Sequence, residues 1–268
     1  MTEVLPVTPV TRVSPLATVS PLATVSPIVR EGLVAGTVPF SAVDGPGNRY
    51  VLFLQGCGWD CLVCHNPCSI PRTPAGMRPA SVAAVLDGIR DAAPFLTGVT
   101  VTGGEATLQA GFVRALFDVL AADPRTARLS RFVDSNGDTD PGVWELLAPV
   151  TDGVMLDLKA LDDEMHVVLT GCSNARVVAS IRDLAARGLL YEVRLLLVPG
   201  LNDADAELRR TAHWLLDVDP AVRVRINPFR REGARACARD LLEATPADLA
   251  RYRAVLTAAG LRDLTIPG

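Results

Sequence analysis

The amino-acid sequence predicts a parallel α/β fold, barrel-like or doubly wound, on three observations. About six short apolar runs alternate with segments of helical period. The runs are apolar throughout, as strands are when both faces of a sheet are covered. The unusual residues (clustered cysteines, paired glycines, isolated charges) stand at the C-terminal ends of those runs, where chemistry gathers in parallel α/β folds.

Each element has its own local reason. RYVLFLQ, residues 49–55, is a buried strand ended by Gly56. Ser81 can cap a helix that carries Val82, Val85, Leu86 and Ile89 on one face. GVTVTGGE, residues 98–105, is a strand running into a glycine loop. FVRALFDVLAAD is helical, and LSRFVDSNG is a strand ending in a turn. GVMLDLKA is a strand. NARVVASIRDLAARG is a helix stopped by Gly188. YEVRLLLVPG is a strand closed by Pro-Gly, DADAELRRTAHWLLD a helix, and VRVRINPF the sixth strand. In the last helix Thr245 is the N-cap, Pro246 sits at N1 and Asp248 returns the capping bond. Leu249, Tyr252 and Leu256 form its buried face, and Gly260 closes it.

Residues 1–33 stand apart. VSPLATVSPLATVSP is a tandem repeat whose prolines forbid a regular helix. The reading is a disordered tail ahead of one domain, residues 34–268. The chain of 268 residues is 49% hydrophobic and 21% charged, with net charge −4 and an isoelectric point near 5.4. That balance argues against a nucleic-acid binder. No apolar run approaches a membrane span, and the proline-broken N-terminus is no signal peptide. A cytoplasmic monomer is expected, where clustered cysteines serve metal or redox chemistry.

Four of the six cysteines fall within residues 55–70, QGCGWDCLVCHNPCSI. Cys57, Cys61 and Cys64 have the spacing C-x3-C-x2-C. Three thiolates on one tight loop can hold three corners of an iron–sulfur cubane and leave one iron open. Cys68 could be offered as a fourth ligand. A zinc site of three cysteines and His65 is disfavoured, because His65 directly follows Cys64 and structural zinc draws its ligands from separated pairs.

The stretch VDGPGNRYVLFLQGCGWDCLVCHNP resembles the start of the glycyl-radical-enzyme activating enzymes, the radical S-adenosylmethionine family that includes pyruvate formate-lyase activase. TGGEATLQ, VDSNG, VMLDLKALDDEMHVVLTGCSN and VRLLLVPGLND follow in the family's order, so the resemblance covers residues 39–228. It implies a partial (β/α)6 TIM-like barrel. It also implies one [4Fe-4S] cluster held by Cys57, Cys61 and Cys64, with S-adenosyl-L-methionine on the open iron. In that family, reductive cleavage of this cofactor gives a 5′-deoxyadenosyl radical that removes a hydrogen from a backbone glycine of a partner glycyl-radical enzyme. Flavodoxin or ferredoxin would supply the electron. The alternative is a radical enzyme of the same superfamily acting on a small molecule or nucleotide.

The resemblance assigns further roles. Val63, Cys64 and His65 would line the cofactor, as would Glu105 and Leu158. Gly103 and Gly104 would let main-chain groups approach the methionyl ammonium. Asp134 and Asp157, with main-chain oxygens at Ser135 and Met155, would hold a monovalent cation. Lys159 would offset the cofactor carboxylate. Arg194 and Asp44 would surround the incoming glycyl loop. Taken alone, Arg194 is a guanidinium in an apolar strand, and needs a carboxylate such as Glu192 or Asp157.

Two departures stand out. Where the family usually carries a cofactor-contacting histidine, this chain has Arg230, with Asn227 as a substitute. The ferredoxin-like insert of many activases is absent, and Cys172 and Cys237 read as ordinary thiols.

Overall fold

The computed structural model describes residues 30–266; the VSPLAT repeats lie outside them. Strand β1 (Glu31–Gly32) is followed by β2 (Val34–Ser41), β3 (Arg49–Leu54), β4 (Ala80–Ser81) and helix α1 (Val82–Ala92). Then come β5 (Gly98–Gly103), α2 (Ala110–Ala122), β6 (Ser130–Ser135), α3 (Pro141–Leu147), β7 (Gly153–Leu158), α4 (Asp163–Thr170) and α5 (Ala175–Ala186). The chain ends with β8 (Leu190–Leu197), α6 (Asp205–Val218), β9 (Arg223–Pro228), α7 (Pro246–Ala258) and β10 (Asp263–Thr265).

All six expected strands form and lie side by side. The eight-stranded sheet has the order β10-β9-β8-β7-β6-β5-β3-β2. Every pairing in it is parallel except β2 with β3. The two end strands do not meet, so the barrel is partial. The core runs from Leu52 and Leu54 through Val101, Val133 and Leu156 to Val193 and Ile226, sealed by Ile89, Leu116, Ile181 and Leu215 of the helices. Caps fall where the sequence puts them: Ser81 accepts from Ala84 N, and Thr245 and Asp248 close a capping box.

The structure adds elements that the sequence reading lacked, among them α3 and β10. Strand β2 is an edge strand that contains Pro39 and Gly36. Its register shifts between Val34 and Gly36 and again between Val38 and Ser41, so Pro39 sits where a missing N–H costs no ladder bond. Helix α4 has only eight residues, too short for a visible period, yet Asp162 caps it and Gly171 ends it in the left-handed conformation. Ordered structure also begins before the expected boundary at residue 33, because Glu31 and Gly32 pair with Ser81 and Ala80. Among the described residues, no helix is long and apolar enough to cross a membrane.

Candidate active site

Inward-facing positions near the strand ends break the apolar pattern. Thr102 (β5), Asp134 (β6), Asp157 (β7), Arg194 (β8) and Asn227 (β9) line one cavity of about 350 Å³. The loop after β3 closes over it, and Cys57, Cys61, Cys64, Val63 and His65 line the same cavity with Gly103, Gly104 and Lys159. Eleven predicted site residues thus meet at one place: the three cysteines, Val63, His65, both glycines, Asp134, Asp157, Lys159 and Arg194.

The cysteine loop is held from several sides. Gly56 N donates to Ser69 O and Cys57 N to Ile70 O, while Leu62 N donates to Leu169 O at the end of α4. Trp59 Nε1 donates to Asp138 Oδ2 at 2.8 Å. Arg235, far along the chain, donates to the carbonyls of Asp60 and Cys61 and pairs with the Asp60 carboxylate. Burial pushes the Cys57 thiol up to about 11 and Cys61 up to about 12, with a smaller rise at Cys64. Bare thiols at neutral pH therefore wait for a metal to displace their protons.

These residues fit a cluster better than a single ion. Among the described residues, no three His, Cys, Asp or Glu side chains converge on one ion position. A cluster gives each thiolate its own iron, so three sulfurs need only share one cavity wall. Cys68 is exposed and does not line the cavity.

The glycine pair has a reason within the chain itself. Gly103 has φ +130°, and a Cβ there would strike the Leu54 main chain; a Cβ on Gly104 would strike the carbonyls of Gly56 and Ser69. Gly104 N donates to Leu54 O at 2.9 Å and Glu105 N to Gly56 O at 2.7 Å. The glycines thus let the end of β5 dock against the backbone of the cysteine loop.

Glu105 does not line the cavity. It is 3% exposed and accepts from Thr107 N, Thr107 Oγ1, Ser135 Oγ and Asn136 N. Burial raises its pKa, and the four donors oppose that rise. It locks the ends of β5 and β6 together, and uses up the Ser135 hydroxyl in doing so. Leu158 is buried and faces a second cavity, between β8, α4 and α6. Arg230 is exposed; its carbonyl accepts from His65 Nε2 at 2.8 Å. Asn227, the substitute, lines the cavity instead. Asp44 lies below, in the loop between β2 and β3, where its carboxylate accepts from Ser41 Oγ and its carbonyl from Thr100 Oγ1.

The carboxylates each face a cation of the chain itself. Lys159 Nζ is 2.7 Å from Asp157 Oδ2. Burial opposes the Lys159 charge most, but Asp157, Cys61 and Asp134 together outweigh it and the net shift is upward. Arg194 Nη1 donates to Asp134 Oδ2 at 2.9 Å, Nε to Glu192 at 3.0 Å, and Nη2 to Met155 Sδ. Glu192 was an expected partner of Arg194; Asp134 takes the place of Asp157 as the other. Burial raises the Asp134 pKa, against the pull of Arg194.

The Radical SAM superfamily profile matches residues 51–212. The chain belongs to the radical SAM superfamily. It is 35% identical over 212 residues to the pyruvate formate-lyase-activating enzyme of Streptococcus mutans, covering 75% of this chain and 79% of that protein. The pyruvate formate-lyase 1-activating enzyme of Escherichia coli K12 is 35% identical over 198 residues, covering 71% and 78%. Solved structures share the fold. Streptococcus suis SuiB bound to S-adenosylmethionine has TM-score 0.60 at 15% identity, over 80% of this chain and 48% of that one. A domain of the pyruvate-formate lyase-activating enzyme from Bacteroides vulgatus has TM-score 0.53 at 22% identity, over 64% and 99%.

Sequence reasoning missed Thr102 and Asn136. Thr102 is two residues from Thr100 on an inward face, and donates to Asp134 Oδ2 at 3.0 Å. The period of two along β5 was the available signal. Asn136 lay inside the VDSNG motif but was read only as part of a turn.

Proposed function

We propose that this radical SAM protein is a glycyl-radical-enzyme activase. The observation that carries the reading is the shared cavity: the thiols of Cys57, Cys61 and Cys64 open onto the same space as Gly103, Gly104, Asp134, Asp157, Lys159 and Arg194. The naming of its 35%-identical relatives as pyruvate formate-lyase-activating enzymes supports the partner class.

Cys57, Cys61 and Cys64 would hold a [4Fe-4S] cluster, with S-adenosyl-L-methionine beside it. Together these groups supply one-electron reductive cleavage of a carbon–sulfur bond and the species that abstracts hydrogen. The chain's own part is orientation and exclusion. Gly103 and Gly104 bring β5 against the cluster loop. The Lys159 ammonium, beside Asp157, offsets carboxylate charge on the cofactor. His65 and Val63 form part of the wall of that space. Arg194, fixed by Asp134 and Glu192, presents a rigid guanidinium to a peptide backbone entering from below, where Asp44 stands. A flavodoxin or ferredoxin would deliver the electron.

The test is anaerobic reconstitution, reduction, addition of S-adenosylmethionine and co-incubation with a glycyl-radical enzyme of the same organism. A doublet radical signal on that partner supports the reading. Cofactor cleavage without any partner signal favours a small-molecule radical enzyme. No cleavage at all sinks both.

A further inference from the structure

The turn after β6 does more than end a strand. Asn136 is 8% exposed, and its backbone N–H and both side-chain polar atoms have partners. Its backbone N donates to Glu105 Oε2 at 2.8 Å. Its Oδ1 accepts from Asp138 N at 2.9 Å. With Oδ1 committed to an N–H donor, the amide cannot be flipped, and Nδ2 is left pointing at Cys57 Sγ, 3.9 Å away. The same sulfur accepts from Trp59 N at 3.4 Å.

Trp59 is tied to the same turn. Its indole N–H donates to Asp138 Oδ2, and its ring meets His166 edge-on with centroids 5.1 Å apart. His166 is wholly buried. The turn 136–138 and the cysteine loop are therefore tied together, and they carry the Asn136 and Trp59 N–H groups aimed at Cys57.

We infer that Asn136 is a positioning residue for the cluster: its side-chain amide donates to the Cys57 sulfur and raises the reduction potential of the bound cluster. Hydrogen bonds to ligand sulfurs stabilise the more negative, reduced cluster and are a main lever on its potential. The bond is long, so its effect is modest. Losing it lowers the reduced-to-oxidised ratio at a fixed poise about three- to tenfold, or roughly 30–60 mV at 59 mV per tenfold for one electron. This inference rests on the cluster reading of the three cysteines proposed above.

The experiment needs neither cofactor nor partner. Wild-type protein and Asn136→Ala are reconstituted anaerobically, checked for equal iron content, and titrated by EPR-monitored redox potentiometry. A lower midpoint potential in the variant supports the inference; an equal or higher one overturns it. A second measurement uses the wild-type protein alone, so it survives a variant that fails to fold or load. Protein labelled with ¹⁵N-asparagine is reduced and examined by pulsed EPR for a ¹⁵N coupling to the cluster. A coupling that Asn136 accounts for supports the hydrogen bond, and its absence overturns it. If wild-type protein builds no four-iron cluster at all, the proposed function falls together with this inference; if the cluster forms and the coupling is missing, only this inference falls.

Discussion

Arg194 and Asp134 meet across the barrel lumen, from strands β8 and β6, with Nη1 donating to Oδ2 at 2.9 Å and both side chains nearly buried. Strand β7 lies between them, so the pair spans an intervening strand. Breaking a buried pair from one side costs about 3–5 kcal/mol, because a charge is left without a partner.

Arg194→Met is therefore expected to lose about that much unfolding free energy at pH 7. The Asp134 pKa is already raised, and loss of Arg194 raises it further. A carboxylate raised in the folded state contributes stability below its unfolded pKa and loses it as pH rises through the folded value. The variant's deficit should shrink as pH falls, and adding Asp134→Asn should recover part of it. Urea unfolding across pH reads both effects; a pH-independent deficit would contradict the account.

Cys57→Ala, Cys61→Ala and Cys64→Ala should each abolish cofactor cleavage, whereas Cys68→Ala keeps it. Cys68 is exposed and outside the cavity. Wild-type protein should bind about four irons per chain. Loss of the cluster in Cys68→Ala would make it a ligand after all, and about eight irons would demand a second cluster.

Gly103→Ala should fold poorly or not load iron. The position combines φ +130° with main-chain contact to Leu54, so both conformation and space exclude a Cβ. A cost above about 2 kcal/mol is expected. Gly76→Ala has a positive φ but no neighbour within 4 Å, and should cost less. Comparing melting temperatures of the two variants separates the contact from the conformation.

Acid should unfold the protein in a defined way. Backbone N–H donors, first Arg125 N, Met165 N and Asn174 N, hold the Asp123, Asp162 and Asp163 carboxyls below their usual range, and the Thr245 hydroxyl does the same for Asp248. Depressed carboxylates contribute stability above the unfolded pKa, about 3.9, and lose it as pH falls through the folded values. Their contribution should be constant from pH 7 to pH 5 and fall below about pH 4. Asp163→Asn should be less stable than wild type at pH 6, with the two curves converging as pH falls through the folded value; parallel curves would contradict this.

Much of the fold was legible because the interior strands are largely apolar, broken mainly where inward-facing residues near their ends line the cavity. The exceptions have physical causes. Strand β2 carries Pro39 and Gly36, which argue against a strand unless it is known to lie at an edge. The cysteine loop could be read from spacing alone. The role of Glu105 could not, because its four donors are assembled by the fold: Thr107 is local, but Ser135 and Asn136 come from another strand. Gly103 and Gly104 were legible as special, but their packing was not, since the backbone that they approach belongs to an earlier part of the chain, at Leu54, Gly56 and Ser69.

The clamp on the cysteine loop carries a consequence for biosynthesis. Arg235 reaches Asp60 and Cys61 over separations of 175 and 174 residues, and the Arg230 carbonyl receives His65 over 165. A ribosome releases the thiols long before it makes the residues that cover them. Domains fold from the N-terminus during synthesis, so this loop stays uncovered until most of the chain has emerged. The thiols of the unfinished chain are therefore open to reagents that the finished fold restricts.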